Sequence, residues 1–226
     1  MVLYMISVCF VISGLFCLLV TLFHIYPRHR QNMKIMEAVW SPTSLWATWP
    51  GLWAYLKLGK SHPAGMHMKM SSDNMPQHPQ WQMVTLSTLH CGAGCTLADL
   101  VGELFTSYIP VSIGGSLIAG QWTLDYILAL LFGIYFQYAA IRPMETLTHM
   151  QVIKKAFKID FFSLTAWQTG MYGWMAILMF SIFKNSPLSH LSWQFWFMMQ
   201  IAMYCGFLTS YPANWILIKL GIKKGM

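Results

Sequence analysis

Residues 89–103 read LHCGAGCTLADLVGE, and the spacing inside this stretch decides what surrounds it. Cys91, Cys95, Asp99 and Glu103 recur every fourth residue. On an α-helix a step of four turns about 400°, so each side chain lands about 40° past the last. The four form one drifting stripe about 18 Å long, and Ser87 extends it. Gly94, Ala98 and Gly102 form a parallel stripe of small residues, a pattern that lets another helix approach closely. They offer a face for tight packing, including packing of a second copy of the chain. An ionised carboxylate at the centre of a membrane helix costs about 3 kcal/mol. Asp99 and Glu103 are therefore expected to face the interior of a bundle. Arg142, Gln137, Gln168 and Asn214 are the candidate partners.

The rest of the chain makes a membrane setting the natural one. Of its 226 residues 56% are hydrophobic and only 9% charged, and the mean hydropathy is +0.49. A soluble domain of this length carries far more charge. Five apolar runs approach the length of about 20 residues that crosses a bilayer. They lie at about 1–25, 83–109, 122–141, 164–183 and 195–218. The expected fold is all-α: one polytopic membrane bundle of five spanning helices, with residues 1–226 as a single domain. The N-terminal run is longer than the apolar core of a cleavable signal and is closed by PRHR, a stop-transfer pattern.

The net charge of +7 would raise nucleic acid as a partner in a soluble protein. Here the basic residues edge the apolar runs, so the expected partner is the lipid bilayer and not nucleic acid. With five crossings, every one of the 14 Lys and Arg except Lys184 falls on one side. The positive-inside rule then puts the N-terminus outside and the C-terminus in the cytoplasm. VWSPTSLWATWPGLWAYL, Val39–Leu56, complicates the count. It is short and holds Pro42 and Pro50, and it reads as an interfacial or re-entrant helix or as a sixth span. Tryptophans at headgroup level favour the interfacial form. Residues 61–82 read as a flexible loop and Lys154–Phe162 as a short connector.

Two thiols one helical turn apart beside a histidine suit a soft metal, copper above all, or zinc. Cys91, Cys95 and His90 are the candidate ligands, with Asp99 and Glu103 continuing a polar path. His90 projects about 100° away from Cys91 and shares the stripe less cleanly. Met171, Met175, Gln168 and Tyr172 are possible auxiliaries on the fourth run. Methionine stripes there, as on the fifth run at Met198, Met199 and Met203, also suit plain packing. The loop residues His62, Met66, His67, Met68, Met70, Met75 and His78 could collect metal, although a polar linker explains them equally. Two alternatives stand beside the metal reading. One is a proton-coupled transporter or scaffold using the carboxylates. The other is a thiol oxidoreductase, which the strained geometry of a disulfide between i and i+4 disfavours. No nucleotide loop, zinc-protease helix or hydrolase elbow is present, so an enzyme is the lesser expectation.

Several blocks carry a family resemblance: MKIMEAVW…GLWAYLKLGK (Met33–Lys60), HCGAGCTLADLVGE (His90–Glu103), IRPM (Ile141–Met144), LTAWQTGMYGWM (Leu164–Met175) and YPANWILIKLGIKKGM (Tyr211–Met226). With these the chain resembles a bacterial membrane family known as domain of unknown function 4396. The resemblance implies a compact helical fold in a bacterial inner membrane and no established activity. It leans toward copper and toward metal-handling proteins as partners. It also draws Val39–Leu56 into the core of the fold. The first helix and the His/Met loop lie outside the resembling blocks.

Overall fold

The computed structural model describes residues 1–28, 34–59, 79–142, 148–184 and 188–223, and among these it is all-helical, with six α-helices. They are α1 (Val2–Arg28), α2 (Lys34–Leu58), α3 (Gln80–Tyr108), α4 (Leu117–Ile141), α5 (His149–Ile177) and α6 (Trp193–Lys219). A π-helical turn, Leu178–Ile182, continues α5. The expected connector at Lys154–Phe162 is instead part of α5, which starts at His149 with a capping box from Thr148 and Gln151. That box satisfies helix-end donors that the apolar pattern alone does not reveal.

α3 is the axis of the molecule. It packs against α2, α4, α5 and α6, and 78% of its apolar window is buried, against 22% for α1. The small-residue face is covered inside the chain. At Gly94 α3 meets the backbone of Gly133 on α4 so closely that a Cβ would lie 3.3 Å from the Gly133 nitrogen. Gly94, Ala98 and Gly102 are all buried. The stripe thus seats α4 and is not left open to a second copy.

Three helices among the described residues, α1 over Val2–Ile25, α3 and α4, are long and apolar enough to cross a bilayer. Five such helices were expected. Among the described residues α5 and α6 fall short because polar residues and Gly, Tyr and Trp dilute both, α5 over its uncharged half as well as its Lys-bearing one.

α2 is a helical hairpin, the shape of the re-entrant alternative and not of a flat interfacial helix or a straight sixth span. Fifteen residues of straight helix would separate Trp40 from Tyr55 by about 22 Å, yet their ring centroids are 5.6 Å apart. Along α1 the order of contacts shows the reversal. Ser44 bonds Thr21 (2.7 Å), the Leu45 carbonyl lies against Gly14, and Trp49 meets Phe16. Tyr55 then bonds His24 (2.8 Å), back at the end where the hairpin began. The turn is at Thr48, whose φ of 50° is rare for a non-glycine residue. Pro50 cannot donate to the Trp46 carbonyl, so the helix breaks there. The freed carbonyls are met from α6: Gln200 Nε2 donates to Leu45 (3.0 Å) and Tyr204 Oη to Ala47 (2.8 Å). Irregular backbone at membrane depth is tolerated when protein groups satisfy it in this way. Trp40 and Trp46 are buried in the protein, whereas Trp49 and Trp53 are exposed.

Candidate functional site

The stripe predicted on α3 is interior. Ser87, His90, Cys91, Cys95, Asp99 and Glu103 are all buried. Around them the fold gathers ionisable groups from other elements: Asp125 from α4, Asp160 from α5, His190 from the segment before α6 and Lys223 from the turn after it. Two of these carboxylates rest on glycines. A Cβ at Gly102 would collide with the Asp125 carboxylate, and one at Gly133 with that of Asp160. The small residues of α3 and α4 therefore make room for acids as well as for each other.

One end of the stripe is built on Lys223. Its ammonium donates to Asn214 Oδ1 (2.7 Å) and to the Ser87 carbonyl (3.2 Å). Asn214 Nδ2 in turn donates to Ser163 Oγ (2.8 Å) and Ser210 Oγ (2.9 Å). Cys91 and Asp160 are the acidic neighbours of the ammonium. Burial pushes Lys223 below the ordinary lysine value, and those two groups oppose the shift. Asn214 thus holds Lys223 and does not serve Asp99 or Glu103. Arg142, at the exposed end of α4, does not reach them either. Lys223, expected only as one of the basic residues edging an apolar run, is buried.

At the other end Glu103 accepts hydrogen bonds from Gln121 Nε2 and from His190 Nδ1, the latter at 2.7 Å. His190 is 45% exposed, so this end reaches the surface. The hydrogen bond to Glu103 raises the His190 pKa above its ordinary value, against a smaller opposing effect of burial. Between the two ends lie Cys95, flanked by Cys91, Asp99 and Asp160, and then Asp99, flanked by Asp125 and Glu103. Ionisable groups thus follow one another along α3 from Lys223 to His190. Ser87 and Glu103 are about 24 Å apart along the helix, most of the thickness of a hydrocarbon layer of about 30 Å.

Neither Asp99 oxygen has a hydrogen-bond partner among the described residues, nor do Asp125 Oδ1 and Asp160 Oδ2. Asp99 stands between two cavities. A small one, about 10 Å³, is lined by Asp99, Glu103, Asp125, Gln121 and Tyr172, together with Met171, Met175, Met179 and Met199. That is room for about one water molecule. A larger one, about 240 Å³, lies between α1, the tip of the α2 hairpin, α3 and α6. The π turn puts Met179 on the wall of the small cavity, as such turns often do at functional sites.

The structure separates the expected ligands. The free thiol of Cys91 lies toward Lys223, and that of Cys95 lies between Cys91 and Asp99, near Tyr172. Met171, Met175 and Tyr172 line the small cavity with the carboxylates, and neither cysteine does. His90 packs edge-on against Phe136, at 5.8 Å between ring centroids, and is not in either cavity. Gln168 is buried away from both, its amide without a hydrogen-bond partner. Among the described residues no three His, Cys, Asp or Glu side chains form a group able to hold a metal ion. His62, Met66, His67, Met68, Met70, Met75 and His78 lie outside the described residues. The sequence reading passed over Asp125, Asp160, Lys223, Gln121 and His190. A signal existed for two of them: Asp125 and Asp160 are carboxylates set within long, largely apolar helices, where they are costly unless used.

No curated protein and no solved structure matches the chain. A family model does match it, over residues 80–223, more than half of its length. The match takes in α3 to α6 with the whole stripe and its partners, and it leaves α1 and the α2 hairpin outside. The chain belongs to the family described as Domain of unknown function (DUF4396).

Proposed function

We propose that this protein moves protons across a membrane, coupled to a solute, along the carboxylates of α3. One observation carries the reading: buried ionisable groups run in sequence from Lys223 to the half-exposed His190, with Asp99 midway and without a hydrogen-bond partner among the described residues. An ionised carboxylate in such a place needs a cation or a proton beside it. A buried acid that exchanges the two is the element of a proton relay. In this reading α5 and α6 cross the membrane beside α1, α3 and α4, giving five crossings. The α2 hairpin returns to the side it left, which keeps Lys34 and Lys57 on one side. The basic residues then set the C-terminus in the cytoplasm of a bacterial inner membrane.

The test is proton flux in liposomes of the purified protein, followed with an enclosed pH dye under an imposed gradient. Wild type should dissipate the gradient, and Glu103→Gln should not. Equal leak in both would overturn the reading.

A second reading has its own observation. The thioethers of Met171, Met175, Met179 and Met199 share the small cavity with Asp99, Glu103 and Asp125, and soft thioethers suit Cu(I). A metal site, copper or zinc, would then centre on these residues, with Cys91 and Cys95 as a second station on the path. Elemental analysis of the purified protein decides it. Metal at about one ion per chain that is lost in Met171→Leu with Met175→Leu supports the site, and metal content unchanged by that double substitution opposes it.

A further inference from the structure

The larger cavity has a polarity that the proton relay alone does not use. It holds about 240 Å³ and its walls are apolar except for Asp99, Gln200, Thr96 and the indoles of Trp46 and Trp196. Thr96 spends its hydroxyl on the Gly92 carbonyl. Gln200 spends its amide nitrogen on the Leu45 carbonyl. Among the fully buried side-chain atoms of the described residues here, Asp99 Oδ1 and Oδ2, Gln200 Oε1 and Trp46 Nε1 remain without partners. Asp99 and Gln200 are both more than nine-tenths buried. Once Asp99 gives up its proton, the site holds three free acceptors, two of them on one carboxylate, and such a site asks for an occupant that donates and carries positive charge. A quinone or other carbonyl compound, which only accepts, would leave Gln200 Oε1 unanswered and brings no charge to replace the Asp99 proton. Trp46 and Trp196 add aromatic faces suited to a cation. Leu15, on the cavity wall, is 44% exposed on the outer face of α1, so one wall borders the lipid side.

We infer that this cavity binds a small lipophilic ammonium ion, its nitrogen on Asp99 and Gln200 and its apolar body against the tryptophans and the tip of the α2 hairpin. The inference rests on the proton-relay reading and names its solute class. Charge balance supplies the coupling. When the ammonium takes the Asp99 carboxylate, the proton held there leaves through Asp125, Glu103 and His190, one proton for one amine. Asp99 lines both cavities, so amine and proton compete for the same oxygens from opposite sides.

The experiment uses the full chain in detergent, titrated with benzylammonium and, separately, with its neutral counterpart benzyl alcohol. Tryptophan fluorescence reads binding and an indicator in weak buffer reads proton release. Benzylammonium should bind about tenfold or more tighter than benzyl alcohol, the scale of a hydrogen bond to a charged group, and should release one proton. Asp99→Asn should erase both the preference and the release. Leu100→Trp, which fills the cavity and spares the carboxylate, should weaken binding; it keeps the test decisive should Asp99→Asn not fold. Equal affinity for amine and alcohol, amine binding without proton release, or tight binding retained in Leu100→Trp would overturn the inference. Proton flux in liposomes without specific amine binding would sink this inference alone. Specific amine binding without flux would sink the transport reading alone.

Discussion

The two ends of the α3 stripe are built from similar residue types and do opposite things. At the Lys223 end an ammonium answers Asp160 and Cys91, and Asn214, Ser163 and Ser210 close the network. At the Glu103 end the acids outnumber their partners, and the network opens to the surface through His190. The first end is tied together by an ammonium, an amide and two hydroxyls, although Asp160 Oδ2 lacks a hydrogen-bond partner among the described residues, and the second is a set of acids with room to change state. A buried polar network that is satisfied rigidifies a core, whereas one left partly unsatisfied carries a cost that function must explain.

The comparison breaks first, and by the largest effect, on the acids. Asp125→Asn removes a carboxylate between Asp99 and Glu103 and should lower proton flux by at least about tenfold, the scale of one proton-transfer group. The chain should still fold, because Asn retains the shape seated on Gly102. Flux at wild-type level would remove Asp125 from the path. The next effect is on stability. Lys223→Met leaves Asn214 Oδ1 without its donor, a loss of about 1–3 kcal/mol, while the Ser87 carbonyl keeps its partner within α3. The thermal midpoint in detergent should fall by several degrees. An unchanged midpoint would mean that Lys223 is not an anchor. Gly133→Ala should come next, since its Cβ meets the Asp160 carboxylate; overpacking of this kind costs about 1–3 kcal/mol. The same change at the open Gly173, which faces no atom within 4 Å, should cost less in the same melting assay, and equal losses would refute the role given to Gly133.

The smallest effect is a pH dependence confined to the open end. Glu103 raises the His190 pKa above 6.5, so the protonated form is the one the fold favours. The stability from this pair is fully present below pH 6.5 and is lost as pH rises through the raised value. The melting gap between wild type and His190→Ala should therefore be widest at acid pH and close at alkaline pH. A gap constant across that range would show that the tie does not depend on protonation.

How much of this was legible in the sequence follows from what each feature depends on. The interior stripe was legible because spacing by four and the cost of carboxylates in an apolar helix are local facts. Its seat against α4 was half legible. Gly94, Ala98 and Gly102 announce a close neighbour but do not say that Gly133 of the same chain supplies it. The α2 hairpin was not legible in full. Pro50 marks a break, but the reversal at Thr48 is held by Gln200 and Tyr204, about 150 residues away along the chain. Lys223 was read from its position beyond the last apolar run, whereas its burial depends on Asn214 and Ser87. Cys91 and Cys95 suggested a metal through adjacency alone, and the methionines that would complete such a site turned out to face Asp99.

The measurement that tests the central claim most directly places the two ends side by side in one assay. Proton flux into liposomes is recorded for wild type, Asp99→Asn and the double variant Cys91→Ser with Cys95→Ser, at matched protein content. The account predicts that Asp99→Asn abolishes flux while the double cysteine variant keeps most of it. Flux that survives Asp99→Asn and disappears with the two thiols would contradict it.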